Sequence, residues 1–459
     1  MRDSVSVAEI LEATGGRLLL GAKGARVQTF STDTRTLRPR DLFIALQGAN
    51  FDGHQFVAEA FRKGACGAVI SSPSLSSSVD GGLLLQVEDT LFALGEIARL
   101  WRRLHPIPLV AVTGSAGKTT TKEWAAALLG RRFRVLSSPG TYNNRVGVPL
   151  TLLQLRKDHQ LAVLELGTSA PGEIRRLSQI CQPDMGLITN IGPAHLQFLS
   201  SLEGVARAKA EMLEFLTGER TCILNADDPH LAALLGEVRG RRFTYGLSPG
   251  WDLSACGIRR GEEGIACELS YQGERIPLHL PLWGRHSVYN ALGSGAIGIL
   301  CGLDLREVAE GLSAMRGTPM RLERTLLPGG FVLLNDAYNA NPLSMRVALD
   351  TFFEMKGEAR GILVLGDMLE LGPQTEALHR EIGALLPFSH RVGGLIAVGV
   401  HSHALADEAI KRGFSAPIFL CRDMREASRA LKESLKPGDW ILLKGSRAMK
   451  MEEVLEGLL

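Results

Sequence analysis

The stretch from Ile107 to Trp124, IPLVAVTGSAGKTTTKEW, constrains the fold more than any other part of the chain. An apolar run is followed by a turn containing Gly114 and Gly117 and then by a helix-forming segment. Backbone N–H groups in such a turn, together with the helix N-terminus, form a concave positive site for phosphate. We therefore predict a phosphate-binding loop, in which Lys118 reaches the outer phosphates of a nucleotide and the Thr119 hydroxyl binds Mg²⁺.

This loop departs from the common spacing at one position. A glycine usually stands five residues before the last glycine, and here that position holds Val112. The shorter T-G-x-x-G-K-T form remains. The alternative is a glycine-rich strand-to-helix turn with an exposed lysine, and we expect Lys122 to be a solvated helix residue. The residues predicted to contact the nucleotide in this loop are Gly114, Ser115, Ala116, Gly117, Lys118, Thr119 and Thr120.

Length and composition bound the class of protein. A chain of 459 residues is long enough for roughly two to four domains. Its net charge is only +2, so no global field draws it to nucleic acid or to a membrane surface. No apolar run approaches the length of a membrane span, and the polar N-terminus is not a signal peptide. The seven scattered cysteines, without a C-x-x-C pair, indicate reduced thiols in a cytoplasmic protein.

From Ile107 the apolar segments alternate with helical ones, which predicts a mostly parallel sheet with helices on both faces. Such sheets bind ligands beyond the carboxyl ends of their strands. Glu165 ends the run LAVLELG, and His195 follows MGLITNIG, so both are candidates for holding a metal ion or water. The alternatives are a lone rim charge and a satisfied loop histidine. Lys209, on the next helix, is expected to be solvated.

The sequence pattern of residues 1 to about 105 indicates a separate α/β domain. It includes a short helix from Val7 to Ala13 and a Ser-rich loop from 71 to 82. A hydroxyl-rich cluster with one arginine suits a diphosphate or a ribose, although most such runs are turns. A second short run is equally consistent with a tight turn. These two candidate groups are Ser31, Thr32, Asp33 and Arg35, and Asp52, Gly53 and His54.

A third α/β unit begins after the pattern breaks near residues 316–324, whereas residues 251–280 predict an antiparallel excursion of the central sheet. The run NDAYNANP (335–342) is densely polar directly after an apolar strand, and it reads as either a base or ribose contact or a helix-capping loop. GDMLELG (366–372) and KGSR (444–447) also follow strands. All three are candidates for the rim of a second ligand site.

Five segments, TGSAGKTT, ELG, NIGPAHL, RAKAEM and NADDP, stand in the order that they have in the Mur ligases, and the chain resembles that family. These are ATP-dependent amide-forming enzymes of peptidoglycan precursor synthesis. DLFIALQGANFDGHQF, TYNNRVGVPLTLL, NDAYNANPLSM, LGDMLELG and LLKGSRAMKME resemble the member that adds a dipeptide. The resemblance covers nearly the whole chain. It departs at Ser287, where the family has Asn, and at Met320, where the family has Gly before an arginine.

The resemblance implies three domains. Residues 1–105 would hold the uridine diphosphate end of the acceptor, residues 106–317 would form the P-loop mononucleotide-binding parallel sheet, and residues 318–459 would form a Rossmann-like α/β domain for the incoming dipeptide. The implied partners are UDP-N-acetylmuramoyl-tripeptide and D-alanyl-D-alanine, with ATP and Mg²⁺ as cofactors. A cytoplasmic monomer that binds neither nucleic acid nor membrane is implied as well.

The resemblance also assigns roles to residues. Lys118, Glu165, His195, Lys209 and Arg321 are implied to be catalytic, with Thr119, Glu165 and His195 as metal ligands and Lys209 as a further one if it is carbamylated. Nucleotide contacts are implied for Asn290, Arg321, Asp336, Asn339 and Asn341. Substrate contacts are implied for Asn143, Asn144, Asp367, Glu370, Lys444, Ser446 and Arg447, besides the two groups of the first domain.

The implied chemistry is activation of the acceptor carboxylate as an acyl phosphate, which the amine of the dipeptide then attacks. Keeping water from that intermediate calls for domain closure about the linkers near 105 and 317. One rival reading is another ligase of the superfamily, such as the enzyme that adds diaminopimelate or lysine, or a folate polyglutamate synthase. Another is a binding module that uses ATP as a switch and forms no amide.

Overall fold

The computed structural model describes residues 2–48, 51–72, 81–261, 263–386 and 391–456. Sheets of five, nine and six strands follow one another along the chain, each covered by helices, and two short two-stranded ribbons accompany the first sheet. The predicted α/β class with three sheets is therefore confirmed. Most of the Ser-rich run from 71 to 82 lies outside the described residues. Among those described, no helix combines the length and the apolar character needed to cross a membrane.

The first sheet has the strand order β2-β9-β8-β5-β4, parallel except for β2. The helix predicted from Val7 is confirmed. It begins there because Ser6 and Glu9 form a reciprocal capping box at its start. The strands are β1 (Val5–Ser6), β2 (Arg17–Leu20), β3 (Arg26–Val27), β4 (Thr29–Ser31), β5 (Asp41–Ile44), β6 (Gln47–Gly48), β7 (Phe51–Asp52), β8 (Gly67–Ile70) and β9 (Leu83–Gln86), and the helices are α1 (Val7–Thr14), α2 (Val57–Arg62) and α3 (Thr90–Leu104).

The second sheet has the order β11-β12-β10-β13-β14-β15-β16-β17-β18. Its strands are β10 (Leu109–Thr113), β11 (Val135–Ser137), β12 (Leu161–Glu165), β13 (Met185–Ile188), β14 (Thr221–Asn225), β15 (Arg241–Gly246), β16 (Leu253–Gly261), β17 (Gly264–Tyr271) and β18 (Glu274–Leu280). The helices are α4 (Lys118–Leu129), α5 (Gly147–Leu152), α6 (Glu173–Cys181), α7 (Leu196–Leu199), α8 (Leu202–Ala210), α9 (Pro229–Leu234), α10 (Arg285–Leu300) and α11 (Leu305–Ser313).

Strand β10 lies at the point in this sheet where the order in which successive strands are added changes direction. It pairs in parallel with β12 on one side and with β13 on the other, and all five of its residues are buried. An apolar run with both faces covered is what a central parallel strand requires. The crevice at such a reversal is where open α/β sheets bind ligands. Strand β16 joins β15 in parallel, and β16, β17 and β18 are antiparallel to one another in turn, which confirms the antiparallel excursion predicted for residues 251–280.

The third sheet has the order β19-β20-β24-β21-β22-β23, parallel except for the edge strand β19. Asp336, Lys444 and Leu365 stand in register at the carboxyl ends of three adjacent strands. The strands are β19 (Glu323–Leu327), β20 (Phe331–Asp336), β21 (Gly361–Gly366), β22 (Val392–Val398), β23 (Ile418–Cys421) and β24 (Trp440–Lys444), and the helices are α12 (Pro342–Lys356), α13 (Thr375–Gly383), α14 (Ser402–Lys411) and α15 (Met424–Ser434).

The segment that joins the first two sheets is anchored rather than loose. His105 is fully buried, and its Nδ1 lies 2.9 Å from the carbonyl oxygen of Trp101. Arg102 donates to the carbonyl oxygens of His105 and Cys181, at 2.7 and 3.0 Å, and to the Asp184 carboxylate at 3.1 Å. Helix α3 also packs against α5 and α6. These contacts do not favour a hinge at 105, so the prediction of closure about that linker has no support here.

The segment that joins the second and third sheets differs in character. Arg316 and Gly317 are exposed, and two residues that follow them adopt left-handed backbone angles, Met320 at φ 56° and Leu322 at φ 52°. Residues other than glycine rarely adopt such angles. The positive φ at position 320 therefore explains why the family has glycine there. Here a hydrogen bond from Met320 N to Glu323 Oε2, 2.9 Å long, helps to hold the turn.

Candidate active site

One cavity of about 1000 Å³ lies between the carboxyl ends of the second and third sheets. It brings together residues that the sequence analysis assigned to nucleotide and substrate. Those that line it are Ser115, Ala116, Gly117, Lys118, Thr119, Thr120, Asn143, Asn144, Glu165, His195, Asn290, Arg321, Asp336, Asn339, Asn341, Lys444 and Arg447. Segments far apart in sequence thus share one concave site, which is the arrangement expected of a ligand pocket.

The predicted phosphate loop has the expected local geometry between β10 and α4. Gly114 has φ 145° and Gly117 has φ 78°. A β-carbon would lie 1.9 Å from Thr189 Oγ1 at Gly114 and 2.5 Å from Asn290 Oδ1 at Gly117, so both positions need glycine. Within the described part of the chain no side chain caps the start of α4. Its first amides therefore remain available for an anion.

Lys118 and Thr119 are held by protein groups that a phosphate would replace. Lys118 Nζ donates to the carbonyl oxygen of Gly114 at 2.9 Å, and Arg321 Nη2 donates to Thr119 Oγ1 at 2.9 Å. The Arg321 guanidinium also lies over the ring of Tyr338, 4.2 Å from its centroid. Burial lowers the pKa of Lys118, and the Glu165 carboxylate opposes that shift. Two cations thus converge on the opening of the loop, where they are complementary to a phosphate chain.

Glu165 is the last residue of β12 and is 1% exposed. Its Oε1 accepts a hydrogen bond from Asn143 Nδ2 at 2.7 Å. Its other oxygen, Oε2, is buried without a hydrogen-bond partner among the residues that the structure describes. A buried carboxylate oxygen left unpaired calls for a cation or a donor from a ligand. The interpretation of Glu165 as more than a rim charge is therefore favoured.

His195, which the family resemblance makes a metal ligand, contacts Glu370, which the resemblance makes a substrate contact. It adopts φ 53°, Glu370 adopts φ 63°, and His195 Nδ1 lies 2.6 Å from Glu370 Oε2. Burial lowers the pKa of His195, while the Glu370 carboxylate opposes the shift. Two non-glycine residues in left-handed conformations that contact each other indicate a constrained site. The pair connects the loop after β13 with the loop after β21.

Two lysines that we expected to be solvated are buried. Lys209 is 2% exposed and Lys122 is 1% exposed, so both expectations were wrong. Burial, and after it the charge of Lys118, lowers the pKa of Lys209 well below its ordinary value. Among the described residues the Lys209 ammonium has no carboxylate within ion-pair distance. Lys209 does not line the cavity itself.

The polar run after β20 caps a helix, as one of the two interpretations of the sequence held, and it also lines the cavity. The side chain of Asn341 caps α12 by accepting from Ser344 N at 2.8 Å, and its Nδ2 reaches the carbonyl oxygen of Ser115 at 3.4 Å. Asp336 accepts from the buried ammonium of Lys444 at 2.5 Å. Lys444 also donates to the carbonyl oxygen of Asn339 at 3.0 Å. Helix cap and cavity wall are therefore the same segment.

Several predicted contacts do not line the cavity. Asp367 is 4% exposed, and its carboxylate accepts from the backbone N–H groups of Val400 and His401. Ser446 Oγ accepts from Leu369 N at 2.9 Å. These groups fix the loops of the third sheet, because their hydrogen-bonding capacity is used within the protein. Gly114, Glu370, Asp367, Ser446 and Lys209 are the site residues of the second and third units that lie outside the cavity wall.

The residues predicted in the first unit form a separate group at the carboxyl edge of its own sheet. Arg35 pairs with Asp33 at 2.7 Å and is largely exposed. Asp52 accepts from the ring of His54 at 2.6 Å, and His54 Nε2 accepts from Ser71 N at 2.9 Å. The residues after Ser31 form a turn, whereas Asp52 caps a 3-10 helix, Gly53–Phe56, so the tight turn predicted there is wrong in detail. None of the seven residues, Ser31, Thr32, Asp33, Arg35, Asp52, Gly53 and His54, lines the large cavity.

Tyr338 is a site residue that sequence reasoning did not single out. Besides carrying Arg321 on its ring, it donates from its hydroxyl to Thr141 Oγ1 at 2.5 Å. Its position within the polar run was the available signal, since an aromatic residue beside amides at a strand end suits stacking. Ser287, where the family has Asn, donates to the carbonyl oxygen of Trp283 at 2.7 Å.

Comparison with family models covers most of the chain. The model described as "Mur ligase family, catalytic domain" matches residues 15–102. "Mur ligase middle domain" matches residues 112–298, and "Mur ligase, glutamate ligase domain" matches residues 320–447. The three matches follow the order of the three sheets.

Curated relatives match over nearly the whole length. The UDP-N-acetylmuramoyl-tripeptide–D-alanyl-D-alanine ligase of Bacillus subtilis is 37% identical, over 94% of this chain and 92% of the relative. The enzyme of the same name from Escherichia coli is 34% identical over 99% and 98%. A crystal structure of MurF from Acinetobacter baumannii superposes with a TM-score of 0.89 at 30% identity, covering 99% and 98%. The MurF ligase of Thermotoga maritima in complex with ADP gives 0.81 at 27% identity, covering 94% and 96%.

The glycine at 117 provides a direct test of the phosphate loop. We expect Gly117→Ala to weaken binding of a nucleoside triphosphate by about tenfold or more, because the new methyl group would displace Asn290 and the loop backbone. Calorimetric titration measures the affinity. Gly218→Ala is the matched control, since Gly218 also has a positive φ but has open space around it. Equal affinity in Gly117→Ala and the unaltered protein would remove this loop from nucleotide binding.

Proposed function

The chain belongs to the Mur ligase family, and from this membership we propose that it is an ATP-dependent ligase that joins D-alanyl-D-alanine to UDP-N-acetylmuramoyl-tripeptide during synthesis of peptidoglycan precursors. Full-length relatives with that name support the assignment. The observation that carries it is the shared cavity, where Lys118, Glu165 and Arg321 face one another across two domains. A switch that only binds nucleotide has no need of a second domain so arranged.

An amide does not form from a free carboxylate at neutral pH, so the acceptor must first be activated. In the proposed reaction an oxygen of its terminal carboxylate attacks the γ-phosphorus of ATP, the bond to the bridging oxygen breaks, and ADP leaves. The dipeptide amine then attacks the acyl carbon, phosphate departs with the former carboxylate oxygen, and the amine nitrogen loses a proton. No protein nucleophile is required. The contribution of the chain is positioning and neutralisation of charge.

Lys118 and Arg321 are the groups placed to neutralise the transferred phosphoryl group. With a triphosphate in the loop, Lys118 would exchange the carbonyl oxygen of Gly114 for a phosphate oxygen. Arg321 already reaches Thr119, so it would approach the γ-phosphate from the opposite wall. The ring of Tyr338 holds the guanidinium in that orientation. Asn290 and the run from Asp336 to Asn341 would contact the base and ribose.

The residues around Glu165 fit Mg²⁺. The unpartnered Oε2 of Glu165, the hydroxyl of Thr119 and the ring of His195 would hold it together with phosphate oxygens. No group of three or more His, Cys, Asp or Glu side chains in the described ranges could hold a metal ion by itself. Bound there, Mg²⁺ would neutralise charge on the phosphates.

We assign to the three domains the roles that family membership implies. Residues 1–105 would hold the uridine diphosphate end of the acceptor, where the segments Ser31–Arg35 and Asp52–His54 would provide hydroxyl and backbone contacts. Residues 106–317 would hold ATP, and residues 318–459 would hold the dipeptide. Lys444 and Arg447 line the cavity from the third domain. Asp367, Glu370 and Ser446 would act through the loops they fix.

Lys209 is suited to carbamylation. Carbon dioxide reacts with a neutral amine, and an amine whose pKa is lowered becomes neutral at a lower pH. The product would carry a carboxylate beside Lys118, so a neutral amine would be replaced by a charge opposite to that of Lys118. Protein incubated with carbon-13 bicarbonate should give a carbamate resonance that Lys209→Arg lacks. The same spectrum from both proteins would show that Lys209 is unmodified.

We further propose a cytoplasmic monomer. All seven cysteines are free in the structure, as expected in a reducing compartment.

The function is tested by the choice of amine donor. The full chain is supplied with ATP, Mg²⁺ and the acceptor, and then with D-alanyl-D-alanine, L-lysine, meso-diaminopimelate or L-glutamate in separate reactions. We expect ADP and an amide product of the corresponding mass with the dipeptide alone. Amide formation with a different donor would assign the chain to another ligase of the family. Rapid phosphate release with ATP alone would instead indicate a nucleotide switch.

A further inference from the structure

Lys122 lies on α4, one turn beyond Lys118, and does not line the cavity. Its ammonium donates to the carbonyl oxygens of Ser138 and Gly140, at 2.8 and 3.1 Å. The carboxylate of its neighbour Glu123 lies 3.6 Å away. The lysine is therefore inside the protein, between the helix that follows the phosphate loop and the loop that follows β11.

Placing an ammonium there needs a physical reason, because removing a charge from water costs several kcal/mol unless partners replace the water. Burial does lower the pKa of Lys122, and Glu123 opposes the shift. A lysine head has three donors, which matches the two carbonyl oxygens and the carboxylate around it. A methionine would fill the same space but would leave both carbonyl oxygens unpaired. The lysine thus serves the loop that it contacts.

That loop, residues 138–144, is hereafter the bridge loop. Ser138 Oγ accepts from Glu165 N at 3.2 Å, and Asn143 Nδ2 donates to Glu165 Oε1 at 2.7 Å. The carbonyl oxygen of Asn143 accepts from Gly167 N at 2.8 Å. Both ends of the bridge loop are therefore attached to the strand end that carries the unpartnered Glu165 carboxylate oxygen.

The middle of the bridge loop faces the third domain. Thr141 accepts from the hydroxyl of Tyr338, whose ring carries Arg321. Thr141, Asn143 and Asn144 also line the cavity that the phosphate loop lines. The bridge loop is therefore in contact with the third domain and with the cavity at once.

We propose that Lys122 is a positioning residue for the acceptor: it fixes the bridge loop at a set distance from the phosphate-loop helix, so that Asn143 meets the acceptor carboxylate in line with the γ-phosphate while Glu165 keeps its open oxygen for the metal ion. The inference rests on the proposed ligase function and adds a specific residue to it. The Lys122 ammonium does not reach the cavity and instead holds the bridge loop. Its loss should therefore disturb the position of the acceptor and leave the nucleotide contacts of Lys118 and Thr119 in place.

The test compares Lys122→Met with Lys122→Arg in the full-length enzyme, with D-alanyl-D-alanine saturating. Lys122→Met should reduce kcat/KM for UDP-N-acetylmuramoyl-tripeptide by about tenfold or more, with KM for ATP within about twofold of the unaltered enzyme. Lys122→Arg keeps a charge and donors and should recover part of the loss. Limited digestion with trypsin reads the loop directly, because Arg145 is exposed at its end. Cleavage after Arg145 should be faster in Lys122→Met.

Lys356→Met is the matched control for losing a buried lysine. Lys356 also donates to two backbone carbonyl oxygens, those of Gly357 and Ala359, but in the third domain. The Lys356→Met variant should have a lower thermal stability, with kcat/KM for the acceptor, KM for ATP and the cleavage at Arg145 unchanged. The inference is wrong if Lys122→Met, like Lys356→Met, leaves kcat/KM for the acceptor, KM for ATP and cleavage at Arg145 unchanged. It is also wrong if KM for ATP rises by the same factor by which kcat/KM for the acceptor falls.

A Lys122→Met protein that does not fold leaves the test to Lys122→Arg. The longer, planar head cannot reproduce both carbonyl contacts, so its cleavage at Arg145 should still exceed that of the unaltered enzyme. Unchanged cleavage and unchanged acceptor kinetics in Lys122→Arg would overturn the inference. Failure of the unaltered enzyme to form the amide would contradict the proposed function itself, which separates the two claims.

Discussion

Positive charge held partly away from water is the constraint around which this site is built. Lys118 and Arg321 converge on the phosphate loop, and burial together with the charge of Lys118 lowers the pKa of the neighbouring Lys209. Glu165 is the carboxylate that faces them from the end of β12. Such a cluster is costly by itself, and a polyanion offsets that cost by supplying the opposite charge. A triphosphate seated on the amides of α4 meets that need.

The topology of the sheets brings this charge to the substrates. The phosphate loop leaves β10 at the reversal point of the second sheet, and the third sheet presents the carboxyl ends of β20 and β24 to the same cavity. Contacts then cross between the two domains: Arg321 to Thr119, Asn341 to Ser115, and His195 to Glu370. Each uses a group that also belongs to the site. In the proposed reaction these contacts would both complete the site and keep water from the acyl phosphate.

Much of this was predictable from sequence because the signals are local. Strand, glycine turn, Lys-Thr and helix identify the phosphate loop within a few residues, and the alternation of apolar and helical segments gives the parallel sheets. The antiparallel strands of residues 251–280 were likewise evident from their pattern. What a local pattern does not contain is which loops meet. The contact between His195 and Glu370 joins residues 175 positions apart, and no periodicity encodes it.

Lysine burial shows the same limit in another form. Lys122 and Lys209 stand on helices where solvation is the default, and only the packing of the bridge loop and of the domains encloses them. The role of Lys209 came from the family resemblance and that of Lys122 from the structure. Asp367 and Ser446, by contrast, were placed correctly at a strand end, but their hydrogen bonds point into the protein.

The central claim is that the acceptor carboxylate itself attacks the γ-phosphate in this cavity. Acceptor labelled with oxygen-18 in its terminal carboxylate tests this directly, with the released phosphate analysed by mass. The account predicts one labelled oxygen in each phosphate formed together with an amide bond. Amide formed with unlabelled phosphate would contradict it, because the carboxylate oxygen would then never have been bonded to phosphorus.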